Sequence, residues 1–422
     1  MESIERIAIV GTGPAGMIAA LCLARAGHSV RLIGPEVDRN DPRTTALMQP
    51  SLSTLGKVGL RYPIEEAGAP LRIMRIADGT SRLLRSPAVS FYASDIGETA
   101  FGYNIPNATL NGILEDALAD QPLIRRSTAK VNRYSATEDS VRIRLDDGEG
   151  IDCRLVVGAD GRKSAARRAA GIRQEPAPLP QSALVLSFRH VVSHDFTSTE
   201  IHTESGPFTQ VPLPDEHMSS LVWVVSPHTA KKLLETDNDT LARQIEQRMQ
   251  SLLGEVSVEG PRAAFPLTTA LPPRFAAKRI ALIGEAAHVF PPIGAQGLNL
   301  AVRDVADLAA VLPGPDGDPG SLAALNAYNR ARRSDITLRS AAVRSLNRSL
   351  LSAMLPAQFA RAVGLDTLRR IGPLRDFFMR EGMAPGSGFR AIRREVREGL
   401  REQIDRYRPR SHQPENRRYS HD

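Results

Sequence analysis

Ile7-Ala8-Ile9-Val10-Gly11-Thr12-Gly13-Pro14-Ala15-Gly16 opens the chain with an apolar run and then places glycines in GxGxxG spacing. The unbroken apolar run is expected of a parallel strand covered on both faces. Gly11 permits a tight turn out of that strand. Gly13 lets the backbone approach a pyrophosphate, with Pro14 and Ala15 following, and Gly16 lets the next helix pack close to the strand. That helix would offer N–H groups and partial positive charge to phosphates at its N-terminus. Met17 to Ala26 reads as the helix, Gly27 as its C-cap, and Val30 to Ile33 as a second strand, giving a βαβ opening. GxGxxG alone is a weak signal, and its place between strand and helix is what strengthens it. One element departs from the fingerprint. Gly34 stands where an acidic residue should hold the ribose hydroxyls, and Glu36 is the candidate substitute, its plainer reading being a solvated loop carboxylate.

Two further stretches carry chemistry. Gly158-Ala159-Asp160-Gly161-Arg162-Lys163-Ser164 follows a strand, and a carboxylate at a strand end can meet a sugar-alcohol hydroxyl or a bound water. An ordinary Asp-Gly turn is the plainer reading. Gly284-Glu285-Ala286-Ala287-His288, with Pro291-Pro292-Ile293-Gly294-Ala295-Gln296-Gly297-Leu298-Asn299, leads from another strand into a helix. Glycines at 294 and 297 let the backbone lie against a flat ring, and the helix N-terminus can stabilise negative charge on it.

Together the three motifs resemble those of the single-dinucleotide-domain FAD-dependent monooxygenases of p-hydroxybenzoate hydroxylase-like fold. Arg43-Thr44-Thr45-Ala46-Leu47, Leu55-Gly56, Gly59-Leu60, Phe265-Pro266-Leu267 and Ser220-Leu221-Val222-Trp223 are similar to segments of the UbiH/UbiF/VisC ubiquinone-biosynthesis hydroxylases. The resemblance spans about Ile4 to Gly382. It implies that Gly11, Gly13, Pro14, Ala15 and Gly16 hold the FAD pyrophosphate, that Arg43 contacts FAD, and that Asp160 lies near the dinucleotide. It further places Glu285 near the ribityl chain and Pro292, Gly294, Gly297, Leu298 and Asn299 along the isoalloxazine ring. Glu285 departs from the family's usual aspartate. Ala301 stands where glycine is more frequent, a difference read as packing. His288 could titrate near neutrality, but its position implies a structural or flavin-loop role. No side chain is required as a nucleophile. Pro292 is the loop residue closest to a catalytic candidate.

The implied fold class is α/β. A Rossmann-like FAD-binding domain would comprise residues 1–70, 101–177 and 276–320, and an inserted, mostly antiparallel substrate sheet residues 71–100 and 178–275. C-terminal helices would cover 321–385, and a charged, mobile tail 386–422. Asn107 is expected to cap a helix bearing Leu110, Ile113, Leu114 and Leu118.

Only one dinucleotide fingerprint is present, so NAD(P)H is expected to dock transiently, reduce FAD and leave. The implied reaction hydroxylates an aromatic ring with O2 through a flavin C4a-hydroperoxide, on a polyprenylated phenol of ubiquinone biosynthesis. A soluble-phenol hydroxylase, a flavin-dependent reductase and a non-catalytic FAD-binding scaffold subunit are the competing readings.

Composition bounds the rest. Of 422 residues, 42% are hydrophobic and 24% charged, as in a soluble protein, and no apolar run is long enough to cross a membrane. Cys22 and Cys153 are far apart and form neither a redox pair nor a metal cluster, which fits a reducing cytoplasm. His190, His202, His217 and His228 show no metal-ligand spacing. The net charge of +7 is uneven, with arginines concentrated between Arg330 and Arg380. With 5% aromatics and no nucleic-acid motif, a solvated face or peripheral contact with an anionic membrane is expected rather than nucleic acid.

Overall fold

The computed structural model of the chain describes residues 4–37, 41–80, 87–291, 296–333 and 336, and at its centre lies the Glu5–Val10 strand. Ile7, Ala8 and Ile9 have no solvent exposure, as an all-apolar parallel strand requires. Gly150–Gly158 and Val30–Ile33 flank it in parallel, with Ile280–Leu282 beyond the first and Ile124–Ser127 beyond the second. Val10 is in register with Gly158 and with Ile33, and Gly158 with Leu282. The C-terminal ends of these strands therefore coincide, and the three motif loops leave from one edge. This edge is where open α/β sheets bind ligands. The expected first helix runs Pro14–Arg25. It starts three residues before Met17 because proline suits the first helical position and the Met17 N–H already donates to the Gly13 carbonyl.

A second sheet has seven strands, in the order Val256–Thr269, Ala177–His190, Met218–Val225, Gly206–Pro212, Thr197–Thr203, Ile73–Asp78 and Val89–Tyr92. Every neighbouring pair is antiparallel except Thr197–Thr203 with Ile73–Asp78. Alternation along each strand gives the sheet two different faces. On one, Leu184, Leu186, Phe188, Ile201, Phe208, Leu221 and Trp223 pack under helices Pro227–Glu235 and Asn238–Arg248 through Ala230, Leu233, Leu241 and Ile245. Each large apolar side chain buried there stabilises by about 1.5–3 kcal/mol. The other face carries Val185, Thr209, Val211, Val222 and Ile76, all only half-buried. A three-stranded sheet of Thr44–Met48, Gly102–Pro106 and Ala69–Pro70 joins the two. From it, the Asn104 amide donates to Pro212 O at 2.8 Å, and the Thr44 and Ser220 hydroxyls meet at 3.1 Å.

Asn107 does not cap its helix. The helix Asn107–Ala119 begins behind Pro106 with no side-chain cap. The Asn107 amide instead donates to Asp41 at 2.9 Å, and its oxygen accepts from Thr45 Oγ1 at 2.6 Å. Tertiary partners outcompete the local N–H groups. Residues 322–333 are helical and dock on the parallel sheet, with Tyr328 Oη donating to Leu282 O and Asn329 Oδ1 accepting from Phe275 and Ala276. The expected helices beyond 336, the tail 386–422 and most of the Arg330–Arg380 segment lie outside the described residues, as do Pro292 and Gly294. No described helix is long and apolar enough to cross a membrane.

A polar chain at the end of the second sheet holds two buried histidines neutral. Gln210 donates to the Ser219 hydroxyl, which donates to His190 Nε2, while His190 Nδ1–H donates to Val192 O. His194 Nδ1 accepts from the Phe196 N–H, and its Nε2–H donates to Leu213 O. Burial lowers both from the ordinary 6.5. Unfolded histidines take up protons near pH 6.5, and the folded ones only at lower pH, so stability present above 6.5 is lost as pH falls toward the folded values. The thermal midpoint is therefore expected to drop as pH is lowered below about 6.5, and a flat profile there contradicts the account.

Candidate functional site

The turn at Gly11 is built by close backbone approach. Gly11 has φ +116°, and a β-carbon there would lie 2.2 Å from Ala159 O; one on Gly16 would lie 1.8 Å from Gly11 O. Ala159 N–H donates to Val10 O at 2.7 Å, and Gly11 N–H to Ile33 O at 2.8 Å, which pins the first two motif loops together. Gly13 is different. Its φ of −67° suits any residue, and a β-carbon there would meet nothing within 4 Å. An open space thus stands before the N-terminus of the Pro14–Arg25 helix, as a diphosphate needs. Ala15 packs against the third motif, since a β-carbon on Gly284 would lie 3.3 Å from that of Ala15 and 3.4 Å from that of Ala301.

Asp160 divides its two oxygens. Oδ2 accepts from the N–H groups of Ala165 and Ala166 at 2.7 and 3.0 Å, whereas buried Oδ1 has no partner. An orphaned buried carboxylate oxygen is costly and calls for a donor. Arg167 reaches across to Ala286 O at 2.8 Å and back to Arg162 O at 2.8 Å. Arg162 Nε donates to Glu285 at 3.0 Å. Both side chains are about half exposed, so this pair adds little stability and mainly joins the second and third motifs.

The residues that hold the third motif were missed by sequence reasoning. Asp304 Oδ2 accepts from Gly284 N–H at 2.8 Å and lies 2.8 Å from His288 Nε2, so one carboxylate grips both ends of the Gly284–His288 turn. Arg332 Nε stands 2.7 Å from Asp304 Oδ1, and Arg332 Nη1 2.6 Å from Asp307. Asp304 and Arg332 are fully buried. A clue existed, in that Asp304 interrupts the apolar stripe Ala301, Val305, Leu308 of the Gln296–Val311 helix. Arg332 lies in an arginine-rich stretch and reads as surface.

Asn299 is likewise committed to the protein. Its oxygen accepts from Met48 N–H at 2.9 Å and Ser51 Oγ at 2.7 Å, and its amide donates to Ala46 O at 2.7 Å. Gly297 is exposed, a β-carbon there meeting nothing within 4 Å, and Leu298 is half-buried beside it. Arg43 is chelated by Asp41 at 2.8 and 2.7 Å and lies 5.9 Å above the Phe265 ring. Burial opposes ionisation of Asp41, yet hydrogen bonds from Arg43 and Asn107 outweigh it and hold its carboxyl at about 2. Glu36 is exposed on its loop. The absent strand-end carboxylate has a physical reason. Gly34 has φ +152°, and a β-carbon there would crowd the Thr12 side chain at 3.1 Å. Burial pushes the Cys153 thiol up to about 12 and that of Cys22 to about 11, so neither suits nucleophilic work. The open space at Gly13, the orphaned Asp160 oxygen and the open Gly297 turn all fit FAD.

The FAD binding domain family matches residues 5–338. Ubiquinone hydroxylase UbiL of Rhodospirillum rubrum is 32% identical over 392 residues, 90% of either chain. The 3-demethoxyubiquinol 3-hydroxylase of Escherichia coli is 30% identical over 383 residues, 87% of this chain and 96% of that one. The crystal structure of p-nitrophenol 4-monooxygenase PnpA from Pseudomonas putida superposes with a TM-score of 0.74 at 20% identity, covering 92% of this chain and 98% of that one, a likeness of fold.

Two glycines should respond differently. Gly11→Ala meets backbone and a left-handed φ, so it should lower stability by upwards of about 1–2 kcal/mol and lose flavin as a consequence. Gly13→Val should leave the denaturation midpoint of the flavin-free protein nearly unchanged while abolishing flavin retention, read by visible absorbance of the purified protein. Equal stability losses in both variants contradict the assignment. Asp304→Ala removes one partner of a buried ion pair and should cost about 3–5 kcal/mol in denaturant unfolding.

Proposed function

Because the chain belongs to the FAD binding domain family and is an FAD-dependent monooxygenase, we propose that it hydroxylates the aromatic ring of a polyprenylated phenol during ubiquinone biosynthesis. The carrying observation is that three loops converge on one strand edge while the second sheet turns a largely apolar, half-buried face toward Arg43 and Thr44. The substrate class is supported by the two near-full-length relatives, both named as hydroxylases of ubiquinone or its precursor. FAD, reduced by NAD(P)H, supplies the oxygen activation.

The chain's own residues bind, orient and exclude water. The Gly11–Gly16 turn and the Pro14–Arg25 N-terminus receive the diphosphate. Asp160 Oδ1 accepts a cofactor hydroxyl. Helix Gln296–Val311 presents its first turn, with Gly297 and Leu298, to the ring, where the positive helix end stabilises negative charge. Glu285 and Arg162, paired and half-exposed, tie the second loop to the third. The apolar sheet face dehydrates the reacting ring and so protects activated oxygen from water. Prenylated phenols partition into lipid, and the arginines of the Arg330–Arg380 stretch other than buried Arg332 suit an anionic bilayer surface.

The test is expression in a quinone-deficient hydroxylase mutant, with mass spectrometry of prenylated intermediates. The expected result is conversion of the accumulated precursor to a species one oxygen heavier, with substrate-stimulated NAD(P)H oxidation by the purified protein. Flavin binding without either would overturn the reading in favour of a non-catalytic subunit. Flotation with anionic vesicles reads the membrane contact, which fails if the protein stays at the bottom of the gradient.

A further inference from the structure

The face of the seven-stranded sheet turned away from helices Pro227–Glu235 and Asn238–Arg248 mixes apolar side chains with a few polar ones. Cross-strand register places Ile76, Glu200, Thr209 and Val222 in one row of that face, with Asp78, His202 and Pro207 in the next. It is the same face on which Phe265 lies under Arg43 and Ser220 meets Thr44. Among these side chains His202 Nε2 and Glu200 Oε1 are 2.8 Å apart, with side-chain exposures of only 10% and 20%. The pair lies two strands from Val222, about 10 Å across the wall.

We propose that the His202–Glu200 pair takes the proton from the substrate's ring hydroxyl. The proposal rests on the phenol hydroxylase reading above. A carboxylate only accepts, so the 2.8 Å contact with Glu200 as carboxylate is made by a hydrogen on His202 Nε2. The lone pair is thereby left on Nδ1, which makes no hydrogen bond among the described residues. This is the arrangement in which a carboxylate fixes the tautomer of a base and stabilises the imidazolium it becomes. The substrate O–H bond breaks, its proton forms an N–H bond at Nδ1, and the electron pair stays on oxygen. The resulting phenolate enriches the ring that is to be hydroxylated. The proton passes to solvent when product leaves, which restores the neutral base. His202 is the catalytic base and Glu200 its positioning residue.

Other charges near the pair do not replace it. Asp78 faces His202 from the adjacent strand but accepts from Thr80 N–H and Oγ1 at 3.0 and 2.6 Å. Glu204 is exposed in the turn that follows, and Arg43 approaches over Phe265, on the far edge strand. Thr209 and Pro207, on the other side, do not titrate. A pair kept only for stability is a weak alternative, because burying polar partners on an apolar wall is often no better than apolar replacement.

The experiment uses the flavin-loaded full chain and 2-prenyl-4-nitrophenol, whose phenolate absorbs visible light. Bound phenolate is titrated against pH in the parent, Glu200→Gln and His202→Asn, alongside flavin content and thermal midpoint. The parent should lower the pH of half-ionisation of the bound probe relative to water. Glu200→Gln should raise it by about one pH unit or more at unchanged flavin content, and the pH profile of kcat/KM should move with it. His202→Asn should remove the lowering altogether. Identical titrations in parent and Glu200→Gln overturn the proposal. If the probe does not bind the parent, the phenol site itself falls. If His202→Asn fails to fold, the isosteric Glu200→Gln still decides.

Discussion

At Gly11 the chain passes so close to Ala159 that no β-carbon fits, and Gly16 in turn passes as close to Gly11. The rest of the site depends on this approach. It brings the first and second motif loops into backbone contact at the strand ends and aims the Pro14–Arg25 helix at the space beside Gly13. The glycines serve two different ends. Gly11 and Gly16 are needed by the protein's own packing, while at Gly13 a β-carbon would meet nothing within 4 Å.

The third loop is held by charge. Asp304 binds both ends of the Gly284–His288 turn and is compensated by Arg332 in a fully buried setting. Such a cluster is a poor source of net stability but a strong constraint on geometry, since removing either partner leaves a buried charge behind. Asn299 adds a second tether, connecting the start of the Gln296–Val311 helix to Ala46, Met48 and Ser51. Thus the Thr44–Met48 strand and the start of the Gln296–Val311 helix are tied together.

The second sheet divides its labour by alternation. One set of side chains makes a core with two helices, and the interleaved set forms the half-buried wall that faces Arg43 and Thr44. An apolar wall excludes water, as oxygen chemistry at a reduced flavin needs. The Glu200–His202 pair is a close polar contact on its middle strands.

Much of this was legible beforehand because it is local. Apolar runs, the glycine spacing and the alternation of Val141, Ile143 and Leu145 are properties of a few consecutive residues, and they located the βαβ unit, most strands and the three loops. Asn107 shows the limit, because its helix lay where expected but its side chain left the cap for Asp41 and Thr45. The sequence by itself determined where the backbone must turn tightly and which motifs could meet a dinucleotide. Only the tertiary structure decided that Asp304 needs Arg332, that Arg43 is held by Asp41 above Phe265, that the Asn299 amide is committed to the protein, and that Glu200 and His202 share the inner wall. The physical reason is that most of these pairings join residues far apart along the chain, and that strand alternation says which side chains share a face but not which face packs under the two helices.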